Sequence, residues 1–222
     1  MENELIQSLS KYLTQNRWSL FQKVIANRTK YITVVLEDIY QSQNASAVLR
    51  TCDCFGIQNV HVIENRNEFD VNPKVALGAS KWLNIKHYNS NDNNTLEALN
   101  ALKEKDYRIV ATTPHENDVS LENFNFEKGK FALVFGTELN GISDIVKQNA
   151  DEFLKIPMFG FTESFNISVS AAIILHHLTL KLRNSKVDWQ LSEAEQNKLI
   201  ISWLKKSIKG GESIVNNFLN TK

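Results

Sequence analysis

Three short stretches carry residue types that could do chemistry. The first, "NASAVLRTCDCFG" at 44–56, sets Asn44 and Arg50 six residues apart in a helical pattern that Gly56 closes. At about 100° per residue, Ala47, Val48, Thr51, Cys52 and Phe55 share one face, and Arg50 points roughly 130° from its centre. Such an arginine is most often solvated, and an Asn opening a helix is most often its N-cap. In the second stretch, "FALVFGTELNGIS" at 131–143, an apolar strand runs into Gly136, Thr137, Glu138 and Gly141. Glycines at a strand end let a ligand approach the backbone closely. Neither a phosphate-loop nor a dinucleotide-binding glycine pattern is present, and the acid would repel phosphate, so a neutral or cationic ligand is expected. The third, "IPMFGFTESFNISVSAAIILHHL" at 156–178, carries Ser164, Asn166, Ser168 and Ser170 into an apolar helix. His176 and His177 lack a carboxylate or Cys at ligand spacing, and no metal is expected.

These stretches need a scaffold. Short β-branched runs alternate with helical patterns, which predicts an α/β fold built on a parallel sheet. The expected strands are "ITVVLED", "NVHVIE", "LNIKHYN", "YRIVATT", "FALVFG" and "EFLKIPM", with helices at 44–55, 73–81, 94–105, 142–149 and through "NISVSAAIILHHLTLKLR". Before the sheet, Leu5, Leu9 and Leu13 make one helical stripe. After it, Ser192 and Glu195 form a capping-box pattern opening a helix that Gly210 and Gly211 stop. The expected division is a helical extension at 1–30, the α/β core at 31–180 and a second helical extension at 181–222.

Composition bounds the rest. With 222 residues, 42% of them apolar, the chain can bury a sizeable core. No apolar run approaches the roughly 20 residues of a membrane span, and the N-terminus lacks a secretory pattern, so a cytoplasmic protein is expected. Cys52 and Cys54 point about 200° apart on one helix, which excludes a bridge between them without breaking it. The net charge is zero but unevenly spread: residues 1–30 and 181–222 together carry 13 Lys/Arg against 6 Asp/Glu. Basic ends around an acidic centre suit gripping a polyanion at the flanks.

In their order and spacing the three stretches resemble the signature motifs of the SpoU/TrmH family of S-adenosylmethionine-dependent RNA ribose 2′-O-methyltransferases, over residues 31–180. "LGASKWLNI" is similar to the family's segment after the second strand. The resemblance implies helices on both faces of the sheet, a C-terminal trefoil knot that no residue pattern here reveals, and a homodimer with each site completed across the interface. It implies cofactor contacts at Thr113, Gly136, Thr137, Ile156, Met158 and Phe165, the last replacing a usual Leu. Arg50, Asn44, Glu138, Ser164 and Asn166 match the catalytic or catalysis-supporting positions. The family's arginine has been assigned as the base, but a guanidinium stays protonated in proteins. An anchor for the neighbouring phosphate and a stabiliser of the developing alkoxide suits it better.

The flanks are similar to the branch that methylates guanosine 18 of the tRNA D-loop, with Arg17, Lys23, Arg28, Lys30, Lys198, Lys205, Lys206 and Lys209 as expected phosphate contacts. The alternatives are a 2′-O-methyltransferase acting on rRNA or on another tRNA position, and an inactive RNA-binding module.

Overall fold

The computed structural model describes residues 2–114, 118–137 and 140–220. It divides into two compact units, 30–189 and the pairing of 1–29 with 190–222.

The larger unit is a seven-stranded sheet in which every pairing is parallel. Its strands are β1 (Ile32–Glu37), β2 (Asn59–Ile63), β3 (Asn84–Tyr88), β4 (Arg108–Thr112), β5 (Val119–Ser120), β6 (Phe131–Phe135) and β7 (Glu152–Lys155), in the order β3-β2-β1-β6-β4-β7-β5. Six were expected; the two-residue β5 is too short to leave a pattern. β1 and β6 are buried throughout, so both sheet faces must be covered. Alternation along the strands then sorts side chains between two cores. Val34, Leu36, Leu133 and Phe135 meet α3 (Ser42–Phe55) and α7 (Ile167–Arg183) through Val48, Leu49, Ile174 and Leu178. Val35, Ile109, Ala111, Ala132 and Val134 meet α5 (Thr95–Lys103) and α6 (Asp144–Asn149) through Ala98, Leu99, Leu102 and Val146. Truncating a fully buried residue such as Leu49 to Ala removes about 2–5 kcal/mol by lost transfer energy and the cavity left.

α3 starts two residues before the expected Asn44. Gln41 is the N-cap, and Asn44 lies inside the first turn. The C-terminus is as expected: Gly56 takes the left-handed conformation at φ 77, and the Ile57 amide closes back on the Cys52 carbonyl at 2.9 Å. Cys52 is buried and Cys54 exposed. The expected 73–81 helix is only α4 (Pro73–Ala76), because Leu77 and Gly78 both turn left-handed before a short 3₁₀ turn at Ala79–Lys81. Val187 and Trp189 pack on the main core, which carries this unit past the expected boundary at 180.

In the smaller unit the single N-terminal stripe is two helices, α1 (Glu2–Ser10) and α2 (Gln15–Ile25). Thr14 starts the second by accepting from the Arg17 amide. The expected capping box opens α8 (Glu193–Ser207), and Gly211, expected to end helical structure, begins α9 (Gly211–Asn220). Arg28 does not fit its expected role as a phosphate contact. It is 2% exposed, with its guanidinium 5.3 Å from the Trp203 ring centroid, so stacking and burial occupy it. Among the described residues no helix is long and apolar enough to cross a membrane.

One buried group makes stability depend on pH. His61, on β2, stacks against Tyr88, and its Nδ1 lies 3.0 Å from the Tyr88 hydroxyl. Burial, with Lys105 and Lys86 adding to it, lowers its pKa to about 4. Between the unfolded value near 6.5 and about 4, the unfolded chain binds the proton more readily. The stability held above the upper value is therefore lost as pH falls through this window, by on the order of 3 kcal/mol. Urea unfolding of the wild type and His61→Phe at pH 7, 5.5 and 4 checks this. The wild type should show the steeper loss, and parallel curves would contradict it.

Candidate active site

Because all strands run the same way, the carboxyl ends of β4, β6 and β7 open on one edge. A cavity of about 400 Å³ lies there, lined by Thr112 and Thr113 at the end of β4, Phe135 to Thr137 and Asn140 to Ile142 at and beyond the end of β6, Leu154, Ile156 and Met158 at and beyond the end of β7, and Ser164, Phe165 and Ile167 at the entry to α7. All six residues expected at a cofactor line it: Thr113, Gly136, Thr137, Ile156, Met158 and Phe165.

Each wall has a local cause. Thr113 donates its hydroxyl to the Asp118 carboxylate, and its amide bonds the Leu154 carbonyl at 3.0 Å, which ties β4's exit to β7. After β6 the chain doubles back: the Thr137 and Gly141 amides each bond the other's carbonyl at 2.9 Å, and the Asn140 amide donates to the Thr137 hydroxyl. A Cβ at position 136 would overlap the Gly141 backbone, and Gly141 itself sits at φ 65, so both glycines are required by this turn. Glu138 lies outside the described residues. On the third side, Phe159 and Phe161 are fully exposed and Phe165 is 44% exposed.

A side-chain bond joins the first and third motifs. Asn166 is the N-cap of α7, its Oδ1 accepting from the Ser168 amide at 2.9 Å and hydroxyl at 2.6 Å. Its Nδ2 donates to Asn44 Oδ1 at 3.2 Å, and Asn44 Nδ2 donates to Gln41 Oε1 at 2.9 Å. Asn44 thus spends its carbonyl on α7. Arg50 is exposed as expected, but it does not line the cavity.

Sequence reasoning missed Asn140 and Lys147 in the lining. Asn140 could have been found, since it sits between the two glycines already singled out; Lys147 could not, because only the fold of α6 brings it to the cavity. A second, apolar groove of about 760 Å³ runs beside α7, lined by Phe55, Leu121, Ile156, Phe159, Ile173, His176 and His177. Burial and the neighbouring Lys181 hold the His177 pKa below its ordinary value.

The described geometry accommodates S-adenosylmethionine. The cavity lies in the range of about 300–1,000 Å³ usual for small-molecule sites. Its mixture of strand-end backbone, apolar walls and threonines suits a bulky nucleoside carrying a sulfonium.

The model of the SpoU rRNA Methylase family matches residues 31–176. The chain belongs to that family. Among its relatives, the tRNA (guanosine(18)-2′-O)-methyltransferase of Borreliella burgdorferi is 44% identical over 94% of this chain and 93% of its own. The enzyme of the same name from Thermus thermophilus is 30% identical over 87% of this chain and 98% of its own. The crystal structure of the A. aeolicus TrmH/SpoU tRNA modifying enzyme superposes with a TM-score of 0.76 at 27% identity, covering 88% of this chain and 98% of that one. The SpoU family region ends within α7, and the helical unit lies outside it.

Proposed function

We propose that this chain transfers the methyl group of S-adenosylmethionine to the ribose 2′-hydroxyl of guanosine 18 in tRNA. The observation that carries this reading is the Asn166–Asn44 bond beside the cavity: it joins the first and third motifs at the strand edge where the second motif's glycine turn also lies. Similarity to the guanosine 18 enzymes extends through the helical unit, well past the family region. The cofactor, when bound, supplies a methyl group on a positively charged sulfur.

The chain's own residues then have to orient a hydroxyl and manage its proton. Arg50, exposed on α3, holds the phosphate next to the target ribose and stabilises the developing alkoxide. Asn44 and Asn166 fix the helix that carries it, Ser164 orients the ribose from the cavity wall, and Glu138 supports catalysis. Thr113, Gly136, Thr137, Ile156, Met158 and Phe165 hold the donor through strand-end backbone and apolar contact. Lys23, Lys198, Lys206 and Lys209, all exposed, contact tRNA phosphates, together with the half-exposed Arg17, Lys30 and Lys205. Lys205 carries a 3.7 Å ion pair with Glu212 that RNA would have to compete with. In this reading the enzyme works in the cytoplasm, and its C-terminal catalytic segment is knotted as the resemblance implies.

A second copy completes the site. Val169, Ile173, His176 and Leu180 fall on one stripe of α7, away from its buried face, and Val169 and Leu180 are exposed. With Phe159 and the groove beside them they form an apolar surface that a partner copy would cover, bringing a second Arg50 toward a cavity that its own does not line. Light scattering should give twice the 25.4 kDa chain mass, and Leu180→Glu should shift it to the monomer. A monomeric wild type contradicts this.

The decisive assay is methyl transfer to an unmodified tRNA transcript and to rRNA fragments, with nuclease mapping of the product, run at several salt concentrations. Methylation at guanosine 18, weakened by salt, is expected. Transfer only to rRNA, or none to either, overturns the reading. Arg50→Ala and Arg50→Lys should each lower kcat by about 10²-fold or more, with donor affinity within about threefold. An active Lys variant would rule out the bidentate anchor.

A further inference from the structure

We propose that the buried carboxylate of Glu37 is a positioning residue that holds Thr137, Gly141 and Ile142 in place at the wall of the donor cavity; this rests on the functional reading above. Glu37 is the last residue of β1 and is 3% exposed. A carboxylate so placed is costly unless its oxygens are matched with donors. Here they accept from the Ser143 amide at 3.0 Å, the Ser143 hydroxyl at 2.7 Å and the Thr95 hydroxyl at 2.8 Å.

The position of Ser143 makes these bonds matter for the cavity. Ser143 is the N-cap of α6, its Oγ accepting from the Val146 amide at 3.2 Å, and it directly follows the loop that lines the cavity through Gly136, Thr137, Asn140, Gly141 and Ile142. The loop leaves the sheet at Phe135, which pairs with Leu36 of β1. It is closed at the other end by Glu37, the next residue of that strand. One strand end thereby fixes both ends of the loop. Among the described residues between them, the Thr137–Gly141 pair and the Asn140 bond to Thr137 hold the turn. Releasing Ser143 would let the foot of α6 and Ile142 move, and Ile142 is both buried and part of the cavity wall.

Glu37→Gln tests this with little change of volume. One of its terminal atoms becomes a donor, so the Ser143 amide and the two hydroxyls cannot all be satisfied as they are now. Ser143→Ala removes the hydroxyl bond and keeps the amide bond. Calorimetric titration of each purified variant with S-adenosylmethionine, without RNA, should show affinity reduced about tenfold for Glu37→Gln and less for Ser143→Ala. The double variant should be no weaker than Glu37→Gln alone. In the ligand-free proteins, hydrogen exchange at the Thr137 and Gly141 amides should accelerate while the β1 and β6 amides stay protected. At saturating donor, kcat should recover to within about threefold of wild type, the KM-against-kcat split that a general loss of stability would not give. Donor affinity within about twofold of wild type for both variants, or unfolding of both, overturns the proposal. A wild-type chain that fails to bind the donor fails the functional reading instead.

Discussion

Asn44 and Asn166 are 122 positions apart in the chain and meet through a side-chain amide hydrogen bond. The rest of the candidate site depends on that meeting. Each asparagine uses one end of its side chain locally, Asn166 to start α7 and Asn44 to hold Gln41, and the other end across the gap. Neither can be replaced by a residue with only a donor or only an acceptor without breaking one of the two bonds. The helix bearing Arg50 and the helix entry bearing Ser164 are thereby placed by the same interaction.

That bond can form only because the sheet is entirely parallel. β1, β4, β6 and β7 all deliver their exits to one edge, and the α3 and α7 N-termini follow the exits of β1 and β7. Buried, apolar strands supply rigidity, and their last residues supply shape. Gly136 and Gly141 allow the chain to fold back on itself within five residues of leaving β6, while Thr113 and Asp118 brace the neighbouring exit.

The sequence made some of this legible for physical reasons. Strand positions, the Gly56 stop, the Ser192–Glu195 box and the glycine turn after β6 follow from local periodicity and from glycine's conformational range, whereas Thr113, Ile156, Met158 and Phe165 came only from the family resemblance. What was not legible depended on long-range contact. Asn44 looked like a cap because its real partner is on α7. Arg28 looked like a surface cation because nothing in its neighbourhood of sequence announces Trp203. The α1–α2 break was hidden because Leu13 continues the stripe while Thr14 ends it. Glu37 gave no signal at all: an acid at a strand end becomes meaningful only once Ser143 and Thr95 converge on it.

The measurement that tests the central claim most directly is a double-mutant cycle on methyl transfer with Asn44→Ala, Asn166→Ala and the pair. If the two asparagines work as one joint holding α3 to the cavity, each single variant should lose most of the rate and the pair should lose little more, giving a coupling of about 1–2 kcal/mol in the transition-state term. Losses that simply add, with each variant folded to the same extent, would contradict the account.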